Sequence, residues 1–405
     1  HPGRESESME WMRPLCKWVG KAERPSEIPA LVRQALQRAR TGRPQPVAVE
    51  IAPQVFATHE PVQEVEPEED RQPAVNSLQI TAAAQRLTEA RRPVIWAGAG
   101  VHRAAAWTAL RNLAEYLQAP VLSGRQGKGA LSDRHPLSLG LAEMRYEPLA
   151  AWYADCDLTL AVGVSRDFAD WDHPVIQIDV EEPAPVSGVT SICADAGLAL
   201  AALCRELATL NPSRTDRTDR AERVQAQVRE LNRKRFAPVQ QLQPQWDLLQ
   251  AVRRTLPDDG ILVQGMNQLG YYSRNYFPVY APRGYLTSSS QITLGCAYPL
   301  ALGAKIAAPE RAVVALCGDG GFLYNAQELA TAVQYRIPVV VVVFNDCAYG
   351  NVLRAQQQQY GGRVLGTRLH NPNFVDLARS FGVRGVHAEG AAALETALRQ
   401  GLDAD

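Results

Sequence analysis

Short, mainly apolar runs alternate along the chain with stretches in which apolar residues recur every third or fourth position. The runs Val47 to Ile51, Pro93 to Ala97, Leu158 to Val162, Val175 to Ile178, Ile261 to Val263, Ala312 to Leu316 and Ile337 to Phe344 predict strands. The periodic stretches predict helices over Ser26 to Arg40, Leu78 to Ala90, Ala104 to Leu117 and Ala391 to Leu402, with others ending at Ala307 and carrying Glu328. In the first helix Ser26 is the expected cap, and Ile28, Leu31, Val32, Ala35, Leu36 and Ala39 share a face. Strand and helix in alternation specify parallel sheets, because a crossover helix returns the chain to the same edge.

The stretch Arg311 to Asn351 reads as strand, glycine turn, helix, strand. Its two strands are expected to be parallel neighbours, so Asp319, in Gly318-Asp319-Gly320-Gly321, and Asp346 both emerge at carboxyl ends of strands. Ligands of open α/β sheets collect at that edge. Two hard oxygen ligands there suit Mg²⁺, and glycines at a helix N-terminus let backbone N–H groups approach a phosphate. A lone GDG is also what a tight strand-to-helix turn needs; the spaced aspartate is what adds chemistry.

The pattern resembles the signature of thiamine diphosphate enzymes, in which GDG is followed at 27 residues by the second member of a pair usually written Asn-Asn, here Asn345-Asp346. The resemblance implies that thiamine diphosphate and Mg²⁺ are the cofactors. It also implies that the metal takes Asp319, Asp346 and the backbone carbonyl of Ala348. Asp346 stands where Asn is commoner, and either is an oxygen ligand. Gly318, Gly320, Gly321, Tyr349 and Gly350 fall with them around the cofactor. Gln268, in Gln264-Gly265-Met266-Asn267-Gln268, matches the diphosphate pocket. Ile292 and Leu294, in Gln291-Ile292-Thr293-Leu294-Gly295, match the segment beside the aminopyrimidine, with Leu294 wedging the cofactor into a V. Tyr349, Asn351 and Arg354 are candidate substrate contacts on a segment that otherwise reads as an amphipathic surface helix.

The remaining segments are similar to the acetolactate synthase group. RPLCKW, the first helix and TGRPQPVAVEIAP resemble the closing part of its pyrimidine-binding domain, whose body would precede His1. The glutamate with which that family activates the cofactor is expected in that body, and Glu50 does not match it. The family's final strand is likewise expected beyond the helix ending at Leu402. Gly127-Lys128-Gly129, with His135-Pro136-Leu137 and Gly140, resembles the central domain, which holds FAD in some members and ADP in others. His135 itself reads as a turn residue. Gly98-Ala99-Gly100 follows a strand, but the third glycine of a dinucleotide fingerprint would fall at Arg103.

The expected fold class is thus α/β, with two parallel-sheet, three-layer domains, one Rossmann-like and one binding the diphosphate, plus a remnant of a third. The boundaries are 1–56 for the remnant, 57–76 for a Pro- and Glu-rich linker, 77–207 for the central domain, 208–244 for a solvated connecting helix, and 245–405 for the diphosphate domain.

Composition narrows the function classes. The 405 residues are 46% hydrophobic and 21% charged, with net charge −1, so nothing electrostatic favours nucleic acid or a membrane. No run of 18 apolar residues occurs, and seven scattered cysteines without a CxxC pair read as a reducing cytoplasm. The activity implied by the resemblance is decarboxylation of a 2-oxo acid, followed by carboligation or by release of an aldehyde, in a homodimer or homotetramer. Ala355 stands where acetolactate synthases carry a pocket-shaping tryptophan. A non-catalytic nucleotide-binding or assembly protein of the same folds is the rival reading.

Overall fold

The structure, a computed structural model, describes residues 7–66, 73–164, 173–182, 186–210, 217–288 and 293–404. Strands β1 (Trp18–Ala22) and β2 (Val47–Ile51) pair in parallel, joined by the helix Ile28–Arg40. Strand β1 is an addition to the sequence reading, since Trp18-Val19-Gly20-Lys21-Ala22 holds a glycine and a lysine within five residues and shows neither period. Ser26 is not the cap. A 3-10 turn, Pro25–Glu27, precedes the helix, and the Glu27 carboxylate accepts from the N–H groups of Glu23 (2.9 Å) and Arg24 (3.3 Å). Of the predicted apolar face only Ala35 is buried, while Val32 and Leu36 remain exposed. Polar contacts fasten this unit to the next domain, chiefly Arg43 Nη2 to the buried Asp179 carboxylate at 3.0 Å.

Strands β3 (Pro93–Ala97), β4 (Val121–Ser123), β5 (Ser138–Leu141), β6 (Leu158–Val162), β7 (Val175–Asp179) and β8 (Val189–Cys193) form one parallel sheet, in the order β5-β4-β3-β6-β7-β8. Counted from β3 this is 3-2-1-4-5-6, the Rossmann order, whose switch point lies between β3 and β6. The helix expected over Ala104 to Leu117 is two helices, Ala99–Arg103 and Trp107–Leu117, broken where Ala105 takes φ 49°. At the switch point the glycines pack against each other. A Cβ on Gly98 would lie 2.1 Å from the Gly163 carbonyl oxygen, and one on Gly163, at φ +60°, 2.3 Å from Gly100 Cα.

The charged helix, Arg217–Phe236, is not solvated on every side, because Val228 and Arg235 are buried. Arg235 donates to the Leu139 carbonyl at 2.8 Å and to the Asn275 carbonyl at 2.9 Å, stitching the central sheet to the last domain. Nearby, Asp133 accepts from Val279 N–H at 2.8 Å, and its own N–H donates back to the Val279 carbonyl.

Lys128 is only 3% exposed in this seam, its ammonium 5.4 Å from the centre of the Tyr285 ring. Burial pulls its pKa down to about 8 against the pull of Asp133. The unfolded chain therefore binds a proton that the folded chain releases, so this group opposes folding below about pH 8 and ceases to do so as pH climbs past 10.5. We expect Lys128→Met to be more stable than wild type at pH 7, by up to about 3 kcal/mol. The gap should close between pH 8 and 10.5 in denaturant titrations; a gap independent of pH would show that the lysine is solvated.

The last domain holds β9 (Ile261–Gln264), β10 (Tyr285–Thr287), β11 (Val313–Gly318) and β12 (Val340–Phe344), all parallel, in the order β10-β9-β11-β12. The unbroken valine and leucine runs follow from burial on both faces. Leu262, Val314, Leu316, Val340 and Val342 meet the helices Gln245–Thr255 and Gly390–Leu402. Ile261, Val263, Val313, Ala315, Cys317, Val341 and Val343 meet the helices Ala297–Ala307 and Glu328–Tyr335 on the other side. A further helix, Phe374–Ser380, lay outside the sequence reading; its seven residues are too few for periodicity to mark. All seven cysteines are free thiols. Among the described residues no helix is long and apolar enough to cross a membrane.

Candidate active site

Because β9, β10, β11 and β12 are parallel, their carboxyl ends share one edge, and Gly318 pairs with Phe344 in register. The turns after β11 and β12 therefore stand side by side. Asp319 opens a short helix, Asp319–Leu323, with its carboxylate 2% exposed. Its Oδ1 accepts from the Gly320 N–H at 2.8 Å, and its Oδ2 from Asn371 Nδ2 at 2.7 Å. The same Asn371 Nδ2 donates to Asn345 Oδ1 at 2.7 Å.

Asp346 faces Asp319 from the neighbouring turn. Its carboxyl is pushed up, first by burial and then by the Asp319 charge, while N–H groups including that of Ala348 hold it back. A buried carboxylate beside a second carboxylate is an arrangement that a cation would relieve. Ala348 is buried and forms an isolated antiparallel bridge with Arg368. The bridge takes the carbonyls of Cys347 and Thr367, leaving the Ala348 carbonyl without an N–H donor among the described residues. Two carboxylates and a carbonyl make an oxygen-only donor set, suited to Mg²⁺ rather than zinc. Among the described residues no three His, Cys, Asp or Glu side chains cluster as a metal site of their own.

Leu294 reaches the glycine turn, since a Cβ on Gly321 would stand 3.9 Å from its Cδ2. Gly295, at φ +81°, lies under Asn325, whose Nδ2 donates to its carbonyl at 2.9 Å. Tyr349 covers Gly320 so closely that a Cβ there would meet its Cε1 at 2.4 Å. Hydrogen bonding with Tyr324, then burial, pushes the Tyr349 phenol up. A Cβ on Gly350 would come within 2.9 Å of Asp346 Oδ2. The edge thus unites Leu294, Gly318, Asp319, Gly320, Gly321, Asp346, Ala348, Tyr349 and Gly350.

Ile292 lies outside the described residues. Gln268 is exposed, its amide oxygen facing Gln245 Nε2 at 3.3 Å, and Asn267 is the residue that meets the turn. Asn267 Nδ2 donates to the Leu316 carbonyl at 2.8 Å, and a Cβ on Gly318 would lie 3.1 Å from Asn267 Cβ. Asn351 and Arg354 are exposed on the helix Gly350–Gln359. Sequence reasoning missed Asn267 and Asn371. The available signal for Asn371 was the Asn-Pro step Asn371-Pro372, a turn mark that says nothing of its partners.

In the central domain, the Gly98 and Gly100 N–H groups are spent on the carbonyls of Val162 and Gly163. That glycine turn secures the meeting of β3 and β6 and leaves neither N–H for a pyrophosphate. His135 is a turn residue; its Nδ1 accepts from the Leu137 N–H at 3.2 Å, and its Nε2 lies 3.0 Å from Glu115. Glu50 sits on β2 opposite Lys21.

A Rossmann-ordered domain coupled to a second parallel sheet, with an acidic, glycine-lined edge, is the architecture of a diphosphate-cofactor enzyme. Residues 265–405 match the family described as thiamine pyrophosphate enzyme, C-terminal TPP binding domain, and residues 80–203 match its central domain. The chain is 31% identical to a probable acetolactate synthase large subunit of Methanocaldococcus jannaschii, over 94% of this chain and 68% of that protein. It is 34% identical to a probable 2-ketoarginine decarboxylase of Pseudomonas aeruginosa, over 96% and 70%. A probable acetolactate synthase large subunit of Methanococcus aeolicus is 27% identical, over 99% and 72%. The chain belongs to the thiamine pyrophosphate enzyme family.

Proposed function

We propose that the protein takes part in thiamine diphosphate- and Mg²⁺-dependent decarboxylation of a 2-oxo acid, with ligation of the product to an acceptor carbonyl. The observation that carries this reading is the meeting of Asp319, Asp346 and the free Ala348 carbonyl at one sheet edge, with Leu294 against Gly321. Bound thiamine diphosphate would supply a carbon nucleophile for the 2-oxo carbonyl and an electron sink for the departure of CO₂. Asp319, Asp346 and Ala348 would hold the metal that anchors the diphosphate, and Leu294 would press the two cofactor rings together so that proton transfer is effectively intramolecular. In this reading the glutamate that relays that proton is not among these 405 residues.

Simple decarboxylation is the second reading. It is favoured by Ala355, a small residue on the helix Gly350–Gln359 that follows Asp346, and by the likeness to a probable 2-ketoarginine decarboxylase.

Calorimetry with thiamine diphosphate, with and without Mg²⁺, tests the cofactor assignment. Release of CO₂ from pyruvate, 2-oxobutyrate and benzoylformate, with product analysis, then separates ligation from aldehyde formation. Mg²⁺-dependent binding is expected, with turnover by this chain alone well below the ordinary range of about 1–10³ s⁻¹. Turnover within that range would show that the proton relay lies inside the chain. No change at the reduced-nicotinamide absorbance band is expected with 2-oxo or 2-hydroxy acids; a steady change would replace this reading with a dehydrogenase.

A further inference from the structure

We propose that Asn371 is a positioning residue that sets the distance between the two carboxylates and fixes which lone pairs they present to a metal. The inference rests on the Mg²⁺ reading of the site and concerns a residue outside the metal donor set.

An aspartate held only by its neighbour's N–H can still pivot about Cβ–Cγ. In Asp319 the Gly320 N–H holds Oδ1 at 2.8 Å, and Asn371 Nδ2 holds Oδ2 at 2.7 Å, so the carboxylate plane is set from both oxygens. Each oxygen keeps one further lone pair. The second N–H of the same amide goes to Asn345 Oδ1 at 2.7 Å, and Asn345 precedes Asp346. One amide group thus joins the turn after β11 to the turn after β12.

Both of its N–H bonds go to oxygen acceptors, which fixes the amide orientation, because the flipped rotamer would set carbonyl oxygen against carboxylate oxygen. That orientation leaves Asn371 Oδ1 buried with no hydrogen-bond partner among the described residues. A buried, unsatisfied acceptor costs on the order of 1–3 kcal/mol. Here it adjoins the carboxylates, and a water accompanying the bound ion would supply a donor.

Mg²⁺ demands near-ideal octahedral geometry with short bonds, whereas Ca²⁺ tolerates irregular and longer ones. A residue that sets carboxylate spacing should therefore matter more to Mg²⁺ than to Ca²⁺. A residue that merely supports the fold should weaken both alike. Asn373 supplies the control. Two positions on, its side chain caps the helix Phe374–Ser380 by accepting from the N–H groups of Val375 and Asp376 at 3.0 and 3.3 Å, and it does not touch Asp319.

The experiment titrates Mg²⁺ and Ca²⁺ separately into the full chain at saturating thiamine diphosphate, by calorimetry, with a thermal melt of each variant before ligand is added. Asn371→Ala should weaken Mg²⁺ binding about 10–100-fold, the range for groups that orient metal ligands, and Ca²⁺ distinctly less. Asn371→Ser, with too short a reach to bridge both turns, should behave the same way. Asn373→Ala should lower the melting temperature and leave the Mg²⁺-to-Ca²⁺ ratio at the wild-type value. Equal loss of both ions in Asn371→Ala and Asn371→Ser, or Mg²⁺ binding within twofold of wild type, would overturn the positioning role while wild-type binding and its loss in Asp319→Ala left the metal site standing. Wild-type binding that needed no divalent ion would overturn the metal reading and this inference together.

Discussion

Asp319→Ala should abolish Mg²⁺-dependent binding of thiamine diphosphate. The carboxylate is buried, orients itself through two hydrogen bonds and directs its remaining lone pairs toward the edge where Asp346 stands. Alanine removes half of the negative charge facing the ion and leaves the Asn371 amide without its charged acceptor. Loss of a residue that merely orients a ligand costs about 10–100-fold in metal affinity, so loss of the ligand itself should exceed 100-fold. Asp346→Asn should cost less, since an amide oxygen can still ligate. The apo protein should lose little stability, because removing one of two mutually repelling carboxylates offsets the hydrogen bonds given up. Calorimetric titration decides the matter, and undiminished affinity in Asp319→Ala would sink the site assignment.

Gly163→Ala should be the most destabilising single methyl addition in the central domain. The added carbon would sit 2.3 Å from Gly100 Cα and 2.6 Å from Gly100 N, both backbone atoms that cannot swing away. Gly163 also holds φ +60°, a region costing an L-residue roughly 1–2 kcal/mol. Overpacking adds about 1–3 kcal/mol. Together they predict a melting transition lowered by roughly 4–20 °C, at about 2–4 °C per kcal/mol for a unit of this size. Differential scanning calorimetry measures it directly. An unchanged melt would mean that the turns after β3 and β6 stand apart, which would reopen the Gly98-Ala99-Gly100 turn to a phosphate.

The parallel α/β architecture was legible because its signal is local. Runs such as Val340–Phe344 are apolar at every position since the sheet is covered on both faces, and those at Pro93–Ala97, Leu158–Val162 and Val340–Phe344 end directly at a glycine or an asparagine. Among the elements that escaped are β1, with its glycine and lysine; β5, where Gly140 coincides with a register shift; and the seven-residue helix Phe374–Ser380, whose residues carry mixed signals. The charged helix Arg217–Phe236 misled for a related reason. Alternating acids and bases describe its solvent face, whereas Arg235 is buried by the carbonyls it joins, and no pattern along the chain distinguishes it from its neighbours.

The sequence by itself determined the chemistry available at the sheet edge. Asp319 and Asp346 follow apolar runs separated by a helical crossover, and parallel pairing must carry both to the same end of the sheet. That both are carboxylates beside glycine turns is legible along the chain alone. Only the tertiary structure decided how that edge is held. Asn371 comes from a segment beyond the helix Gly350–Gln359, yet one amide spans both aspartate turns; Asn267 rather than Gln268 meets Gly318; and the Gly98-Ala99-Gly100 turn packs on Gly163. The physical reason is that hydrogen bonding and close packing act over a few ångströms in space, whatever the number of residues between the partners, while periodicity and motif spacing record only neighbours along the chain.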